Sequence, residues 1–205
     1  MKVTWLGHSC FKLESQGYQI ILDPYQDGSV PGYRPLRESA DQVLCSHGHR
    51  DHCAAECVTL RRGTPSPFRI ETIAAWHDDQ GGALRGPNTI HILDDGQCRV
   101  AHLGDLGCEL TAEQTEQLQG LTALLIPVGG YYTIDASQAK RLTDMLMPRV
   151  IIPMHYRGRS FGYDVIGTLD RFTSLFSAVT TYPGSALELT DRIDSQVAVL
   201  QPQNI

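Results

Sequence analysis

The alternation of apolar and polar positions predicts short β-strands along the first half of the chain. Residues 2–7, 10–14 and 18–22 have strand-like composition, and Ser15-Gln16-Gly17 favours a hairpin turn between the second and third of them. Residues 26–40 are rich in Gly, Pro and charge, which is typical of a loop. Later strands are predicted at residues 42–45, 68–75, 89–93 and 98–103, the last two joined by a hairpin turn at Asp94-Asp95-Gly96.

The second half of the chain changes to helix–strand units. Two capping boxes, Thr111–Gln114 and Asp135–Gln138, open predicted helices that end near Gly120 and Met147. Apolar strands are predicted after these helices, at residues 121–127 and 150–153, and a third helix at 166–176. Residues 53–67 are ambiguous, and short strands are expected near 186–189 and 196–200. This order of elements favours two packed sheets with helices outside.

Composition indicates an ordinary globular protein and excludes several function classes. The 205 residues fit a single domain over residues 1–205, with 41% hydrophobic and 20% charged residues. The net charge of -6 argues against nucleic acid as the main partner. Because no apolar run reaches about 18 residues, no membrane span is expected. We predict a soluble cytoplasmic protein with a small-molecule substrate, and a homo-oligomer is left open.

The six cysteines have a spacing that matches no disulfide or zinc-ribbon pattern. Reduced thiols are therefore expected, in keeping with a cytoplasmic protein. Cys53 and Cys57 follow a cluster of histidines, so an approach of one of them to a metal is the alternative to their being small apolar fillers.

The segment with the strongest chemical signal is Ser46-His47-Gly48-His49-Arg50-Asp51-His52. It places three imidazoles and a carboxylate within six residues, directly after a predicted strand. A loop that leaves a strand end can turn these side chains toward one point, and Gly48 makes such a turn easy. Imidazole and carboxylate ligands suit zinc, manganese or iron. The segment predicts a metal site, the alternative being a solvated turn.

With this H-x-H-x-D-H pattern, the chain resembles the metallo-β-lactamase superfamily, and the resemblance runs from Trp5 to about Tyr156. It is most similar to the branch of the L-ascorbate-6-phosphate lactonase and the predicted zinc-dependent hydrolases. The supporting segments are W-L-G-H-S-C-F at 5–11, L-D-P at 22–24, H-L-G-D-L-G at 102–107, P-V-G-G-Y-Y-T at 127–133 and I-P-M-H-Y at 152–156. The resemblance implies an α/β protein with an αββα four-layer sandwich, in which two mixed β-sheets are flanked by helices.

The resemblance also implies a site for two divalent metal ions, with zinc expected first and manganese or iron as alternatives. The first ion would be bound by His47, His49 and His77, and the second by Asp51, His52 and His155. Asp105 would bridge the two ions. His77, Asp105 and His155 each follow a short apolar strand, and strand ends are where a site at a sheet edge can be assembled.

Further residues around this site have open roles. His8, in the turn between the first two strands, is a candidate for substrate orientation or charge stabilisation, with a structural role as the alternative. The resemblance suggests that Asp23 holds the histidine loop by hydrogen bonds. His102 is predicted to support a ligand, with a core histidine as the alternative. His91 is expected on the polar face of its strand and has no assigned role. One of Tyr131, Tyr132 and Tyr156 is expected to contact substrate.

The predicted function is metal-dependent hydrolysis of a lactone, ester or phosphoester of a small anionic metabolite. A metal-bound hydroxide would attack the carbonyl or phosphorus, Asp51 would orient it or accept its proton, and His8 would assist. A non-hydrolytic di-iron redox or metal-binding protein on the same fold is the alternative. With about 25 residues between the histidine cluster and His77, an open site is expected.

Overall fold

The first sheet is a five-stranded unit built mainly from the N-terminal part of the chain. A computed structural model describes residues 1–61, 63 and 65–205. Strands β1 (Lys2–Gly7), β2 (Cys10–Ser15) and β3 (Tyr18–Leu22) form an antiparallel meander. Strand β5 (Gln42–Leu44) lies parallel to β3, and β13 (Ala186–Glu188) pairs with the free edge of β1. The hairpin turn predicted at residues 15–17 joins β2 to β3.

The second sheet has seven strands within the described residues. Its first half is antiparallel, from β7 (Arg69–Trp76) through β8 (Pro87–Asp94) to β9 (Arg99–His102). Its second half is parallel, and its strands follow β9 in the order β10 (Ala123–Pro127), β11 (Val150–Met154), β14 (Gln196–Val199) and β12 (Val179–Thr181).

The main core lies between the two sheets, as the alternation of strand residues predicts. Along β1, Val3 and Trp5 enter this core, whereas Leu6 enters a second cluster on the other side of the sheet. Strands β10 and β11 are buried along their whole length, which is expected for parallel strands covered on both faces. The two sheets are thus packed face to face around a continuous apolar layer.

The outer layers differ between the two sheets. Helices α1 (Ala112–Gln117) and α2 (Ala136–Leu146) both begin with the predicted capping boxes, and α2 buries Ala139, Leu142 and Leu146. The outer face of the five-stranded sheet is covered by the loop that follows β3, a short 3₁₀ turn (Ala55–Cys57) and a two-stranded sheet. That sheet pairs β4 (Glu38–Ala40) with β6 (Val58–Leu60). The architecture is the α/β sandwich that the sequence predicts.

The predicted helix over residues 166–176 is mostly wrong, since α3 spans only Asp170–Thr173. Gly167 instead forms backbone hydrogen bonds with Gly129 and Arg157, which hold this stretch extended. Strands β4 and β12 were not predicted because both are short. Strand β12 is also fully exposed, so it has no apolar pattern that comes from burial. Of the ambiguous segment 53–67, residues 62 and 64 lie outside the described residues. No helix in the described part of the chain is long and apolar enough to cross a membrane.

Candidate metal centre

The predicted ligands lie just after the C-terminal ends of four strands, at one edge of the sandwich. His47, His49, Asp51 and His52 come after β5, His77 directly after β7, Asp105 three residues after β9, and His155 directly after β11. Left-handed backbone conformations, which non-glycine residues rarely adopt, occur at His8 (φ 52°), Asp23 (φ 47°) and His155 (φ 53°). Such strain is often found at functional sites, where the surrounding structure enforces it.

One group of candidate ligands contains His47, His49 and His77. One nitrogen from each ring lies within 4.8 Å of the others. Nδ1 of His77 lies 3.1 Å from the carbonyl oxygen of Tyr132, and because a carbonyl only accepts, this nitrogen donates. Nε2 of His77 is then the lone-pair atom that faces the site.

A second group contains His8, Asp51, His52 and His155, whose candidate atoms also lie within 4.8 Å of one another. Nε2 of His8 lies 3.4 Å from Oδ2 of Asp51, and Nε2 of His52 lies 3.7 Å from the same oxygen. The structure therefore brings both residues predicted to be catalytic, His8 and Asp51, against two of the predicted ligands.

Asp105 lies between the two groups. Its Oδ2 atom is 3.2 Å from Nε2 of His52, 3.3 Å from Nε2 of His77 and 3.3 Å from Nε2 of His155. The carboxylate is buried, so it faces these rings rather than solvent. This one oxygen is within reach of ligands from both groups.

The donor set fits divalent metal ions. Among the described residues, His47 Nε2, His52 Nε2, His155 Nε2 and Asp105 Oδ1 are buried without a hydrogen-bond partner. Buried polar atoms without a partner are costly and rare, and here they converge on one place. Imidazole nitrogen and carboxylate oxygen are ligands that zinc and similar metals prefer.

Asp105 and Asp23 raise the pKa of His52 well above its usual range. Burial has the opposite effect on two other imidazoles of the site. It lowers the pKa of His47 to about 3 and the pKa of His8 to about 4, because a charged ring is poorly solvated there. Burial alone would raise the pKa of Asp105, but His155 and His52 hold that pKa well below its usual range. Neutral imidazoles and ionised carboxylates are the forms that bind metals.

Asp23 supports the ligand loop, as the sequence predicts. Its carboxylate accepts from the backbone N–H of Ser46 at 2.6 Å and from the Ser46 hydroxyl at 2.5 Å. Since the hydroxyl proton is committed to Asp23, Nδ1 of His47, 2.9 Å from the Ser46 Oγ atom, is the donor of that contact. Nε2 of His47 is thereby left to face the site.

Two further histidines also have structural partners. His102 is fully buried, and its hydrogen bonds go to backbone groups rather than to a predicted ligand, which fits the alternative of a core histidine. Its Nε2 donates to the carbonyl of Ser9 at 2.8 Å, and its Nδ1 accepts from Gly104 N–H at 3.1 Å. His91 was expected on the polar face of its strand, but it is buried, and its Nε2 lies 3.0 Å from the carbonyl of Cys45. That bond attaches β8 to the start of the ligand loop.

Asn88 and Gly104 fix the backbone segment between β9 and Asp105. Asn88 is buried, accepts from the N–H of Asp105 at 2.9 Å and donates to the carbonyl of Leu103 at 2.9 Å. Gly104 has φ 56°, and a Cβ atom there would lie 2.4 Å from Asn88 Oδ1 and 2.5 Å from Ser46 Cβ. Only glycine allows β9 to meet the ligand loop this closely.

A cavity of about 270 Å³ opens onto this site. Of the three tyrosines named from the sequence, Tyr132 lines it, Tyr131 is 65% exposed, and Tyr156 is buried in the core. The residues that line the cavity are His49, Asp51, His77, Arg85, Asp105, Tyr132 and Tyr163.

Two of these lining residues, Arg85 and Tyr163, were missed in the sequence. The Tyr163 hydroxyl lies 3.2 Å from Oδ2 of Asp51, but nothing local distinguishes this tyrosine from the others. The only signal for Arg85 is its position in a glycine-rich connection after a ligand.

The cysteine prediction needs a correction. Cys45 and Cys53 form a disulfide, with their Cα atoms 5.3 Å apart, instead of being reduced thiols. The sequence spacing hid this pair because it resembles no common framework, and only the return of the ligand loop brings the two residues together. Neither Cys53 nor Cys57 belongs to a ligand group among the described residues, and Cys57 is free.

Comparison with known proteins identifies the family of this chain. The family model described as a beta-lactamase superfamily domain matches residues 2–155. A metal-dependent hydrolase of Archaeoglobus fulgidus is 30% identical in a match that covers 76% of this chain and 83% of that protein. A metal-dependent hydrolase of Thermoplasma volcanium is 28% identical in a match that covers 89% of this chain and 94% of that protein.

A solved structure from Thermotoga maritima extends this result. It is assigned to the Zn-dependent hydrolases of the metallo-beta-lactamase superfamily, and it is 33% identical with a TM-score of 0.77 over 97% of both chains. The chain therefore belongs to the metallo-β-lactamase superfamily, and it is an enzyme of the metal-dependent hydrolase class.

Proposed function

We propose that this enzyme hydrolyses a lactone, ester or phosphoester of a small anionic metabolite with two divalent metal ions. Zinc is the first choice for both ions, with manganese or iron as alternatives. The observation that carries the proposal is the position of Asp105, whose Oδ2 atom is within 3.3 Å of Nε2 of both His77 and His155. These two histidines belong to different ligand groups, so one carboxylate can serve both ions.

The residues would divide between the two ions in the way the resemblance implies. His47, His49 and His77 would hold one ion, Asp51, His52 and His155 the other, and Asp105 both. When bound, divalent ions supply a hydroxide nucleophile near neutral pH and take up negative charge on the attacked group.

The side chains around Asp51 would handle protons. Burial would raise its pKa, but the adjacent imidazole of His8, whose Nε2 atom lies 3.4 Å from Oδ2 of Asp51, holds that pKa well below its usual range. An ionised Asp51 can accept a hydrogen bond from the attacking nucleophile and so orient it. The Tyr163 hydroxyl lies 3.2 Å from the same Oδ2 atom and 2.9 Å from the carbonyl oxygen of Ser29. Burial keeps this phenol neutral by raising its pKa, and its one proton can pass from these acceptors to a leaving group.

Metal counting combined with hydrolysis assays tests this proposal. We would measure zinc, manganese and iron per chain and assay lactone, thioester and phosphodiester substrates with and without a chelator. We expect close to two ions per chain and chelator-sensitive turnover of a lactone or a phosphoester. Two irons without any turnover would instead support the redox alternative, and the absence of tightly bound metal would contradict the ligand assignment.

A further inference from the structure

Arg85 is the cationic side chain on the wall of the cavity. It lines the cavity together with ligands of both groups and is half-buried. Its guanidinium carbon lies 5.5 Å from the ring centroid of Tyr132, within the range of a cation–π contact. The charge is therefore held over an aromatic wall at the mouth of the site.

The backbone that carries Arg85 is fixed by one carboxylate. Asp78 accepts hydrogen bonds from the backbone N–H groups of Gln80, Gly82, Leu84 and Arg85, at 2.8, 2.9, 3.0 and 2.8 Å. The loop is also closed at its ends, where His77 N–H donates to Gly86. A side chain on so constrained a loop is preorganised, which lowers the entropic cost of binding a ligand.

The guanidinium has no anionic partner in the described part of the chain. Its side chain takes part in none of the ion pairs or side-chain hydrogen bonds found there, in contrast to Arg37, Arg61, Arg69 and Arg99. A half-buried guanidinium loses hydrogen bonds to water and normally replaces them with hydrogen bonds to an oxyanion. Arg85 thus has a free donor fork that faces the space where substrate must enter.

The negative charges of the rest of the protein increase the influence of Arg85 on which substrates can bind. The whole chain carries a net charge of -6, and the cavity wall itself contains the carboxylates of Asp51 and Asp105. Away from the bound metal ions, an anionic part of the substrate would be repelled by this field unless a local cation offsets it. Bound metal ions would interact with the reacting group, which leaves Arg85 for a second anionic group of the same molecule.

We propose that Arg85 is a specificity-determining residue that binds a carboxylate or phosphate group located beside the scissile bond of the substrate. This inference rests on the proposed hydrolase function and narrows its substrate class to molecules that carry a separate oxyanion. The planar guanidinium would donate two parallel hydrogen bonds to two oxygens of that group. The contact with the Tyr132 ring would limit the orientation of the guanidinium.

The test compares Arg85→Gln with Arg141→Gln in the metal-loaded enzyme. Arg141 lies exposed on α2, so its replacement makes the same change in net charge away from the site. The substrates are a matched pair, a lactone with a free carboxylate and its neutral primary carboxamide. For Arg85→Gln we expect kcat/KM on the charged substrate to fall roughly 10- to 100-fold, mainly through KM. Turnover of the neutral substrate should stay within about twofold, and Arg141→Gln should match the wild type.

A binding experiment tests this inference independently of the proposed hydrolysis. Calorimetric titration with inorganic phosphate and with succinate measures anion affinity without any turnover. Weaker binding to Arg85→Gln supports the proposal even if no test substrate is hydrolysed, and the ion that is affected more shows whether a phosphate or a carboxylate is preferred. Equal losses on charged and neutral substrates, or unchanged affinity for both ions, would overturn it.

Discussion

Oδ2 of Asp23 lies 2.8 Å from Nδ1 of His52, and both side chains are fully buried. Because the ionised carboxylate accepts, Nδ1 carries the proton and Nε2 of His52 faces Asp105. The same carboxylate acts on His47 through the hydroxyl of Ser46. One residue outside the ligand set therefore selects the tautomers of one ligand in each group.

Replacing Asp23 with Asn should weaken metal binding while leaving all predicted ligands in place. The amide is uncharged and cannot accept from Ser46 and His52 as strongly, so we expect a roughly 10- to 100-fold loss of metal affinity. Competition with a chromophoric chelator measures this loss. Asp144→Asn, on the exposed face of α2, is the control, and equal affinities for the two variants would contradict the role of Asp23.

Replacing Asp105 with Ala should lower the metal content and abolish turnover. We expect metal content to fall from close to two ions per chain to one or fewer, because Asp105 is the carboxylate within reach of both ligand groups. Elemental analysis after extensive dialysis measures the content, and hydrolysis is assayed on the same sample. A variant that keeps its full metal content would rule out the bridging role of Asp105.

The candidate ligands could be identified in the sequence because their residue types and spacing form local patterns. Four of them occupy six consecutive residues, and His77, Asp105 and His155 each follow a strand whose apolar run is easy to recognise. The strands themselves were predicted well wherever burial produces alternation or a continuous apolar run.

Residues placed by long-range contacts could not be predicted in the same way. Tyr163 reaches Asp51 because its loop is tied to distant segments, for example through the hydrogen bond from Gly162 to Pro31. Arg85 points into the cavity because Asp78 folds its loop. The disulfide likewise depends on the path of the ligand loop, which no local pattern encodes.

Replacing Tyr163 with Phe should lower kcat without changing metal content. The variant keeps the ring but loses the hydroxyl 3.2 Å from Asp51, so a proton donor is removed and packing is retained. We expect a roughly 100-fold fall in kcat, measured at saturating substrate. The exposed Tyr131 supplies the matched control, Tyr131→Phe, and similar kcat values for the two variants would exclude Tyr163 from the reaction.

Reducing the Cys45–Cys53 disulfide should destabilise the ligand loop. The bond closes a short loop that contains His47, His49, Asp51 and His52, and closure of a loop of this size contributes about 2.5 kcal/mol by the chain-entropy estimate. Denaturant unfolding of the metal-free protein, with and without reductant, measures the difference.

Thiol titration provides an independent check on this pair. The unfolded, unreduced protein should show the four free thiols of Cys10, Cys57, Cys98 and Cys108. Cys57→Ser should remain as sensitive to reductant as the wild type, whereas Cys53→Ser should lose that sensitivity. Six titratable thiols in the unreduced protein would show that the disulfide does not form.

Replacing Asn88 with Ala should cost stability as well as metal affinity. The side chain is buried, and its two hydrogen bonds satisfy the N–H of Asp105 and the carbonyl of Leu103. Leaving both groups unpaired should lower the free energy of unfolding by about 2–4 kcal/mol, as measured by urea denaturation of the metal-free protein. Gln97→Ala, in the exposed turn between β8 and β9, should change stability by less than about 0.5 kcal/mol. If Asn88→Ala is no less stable than this control, Asn88 does not hold the backbone at Asp105.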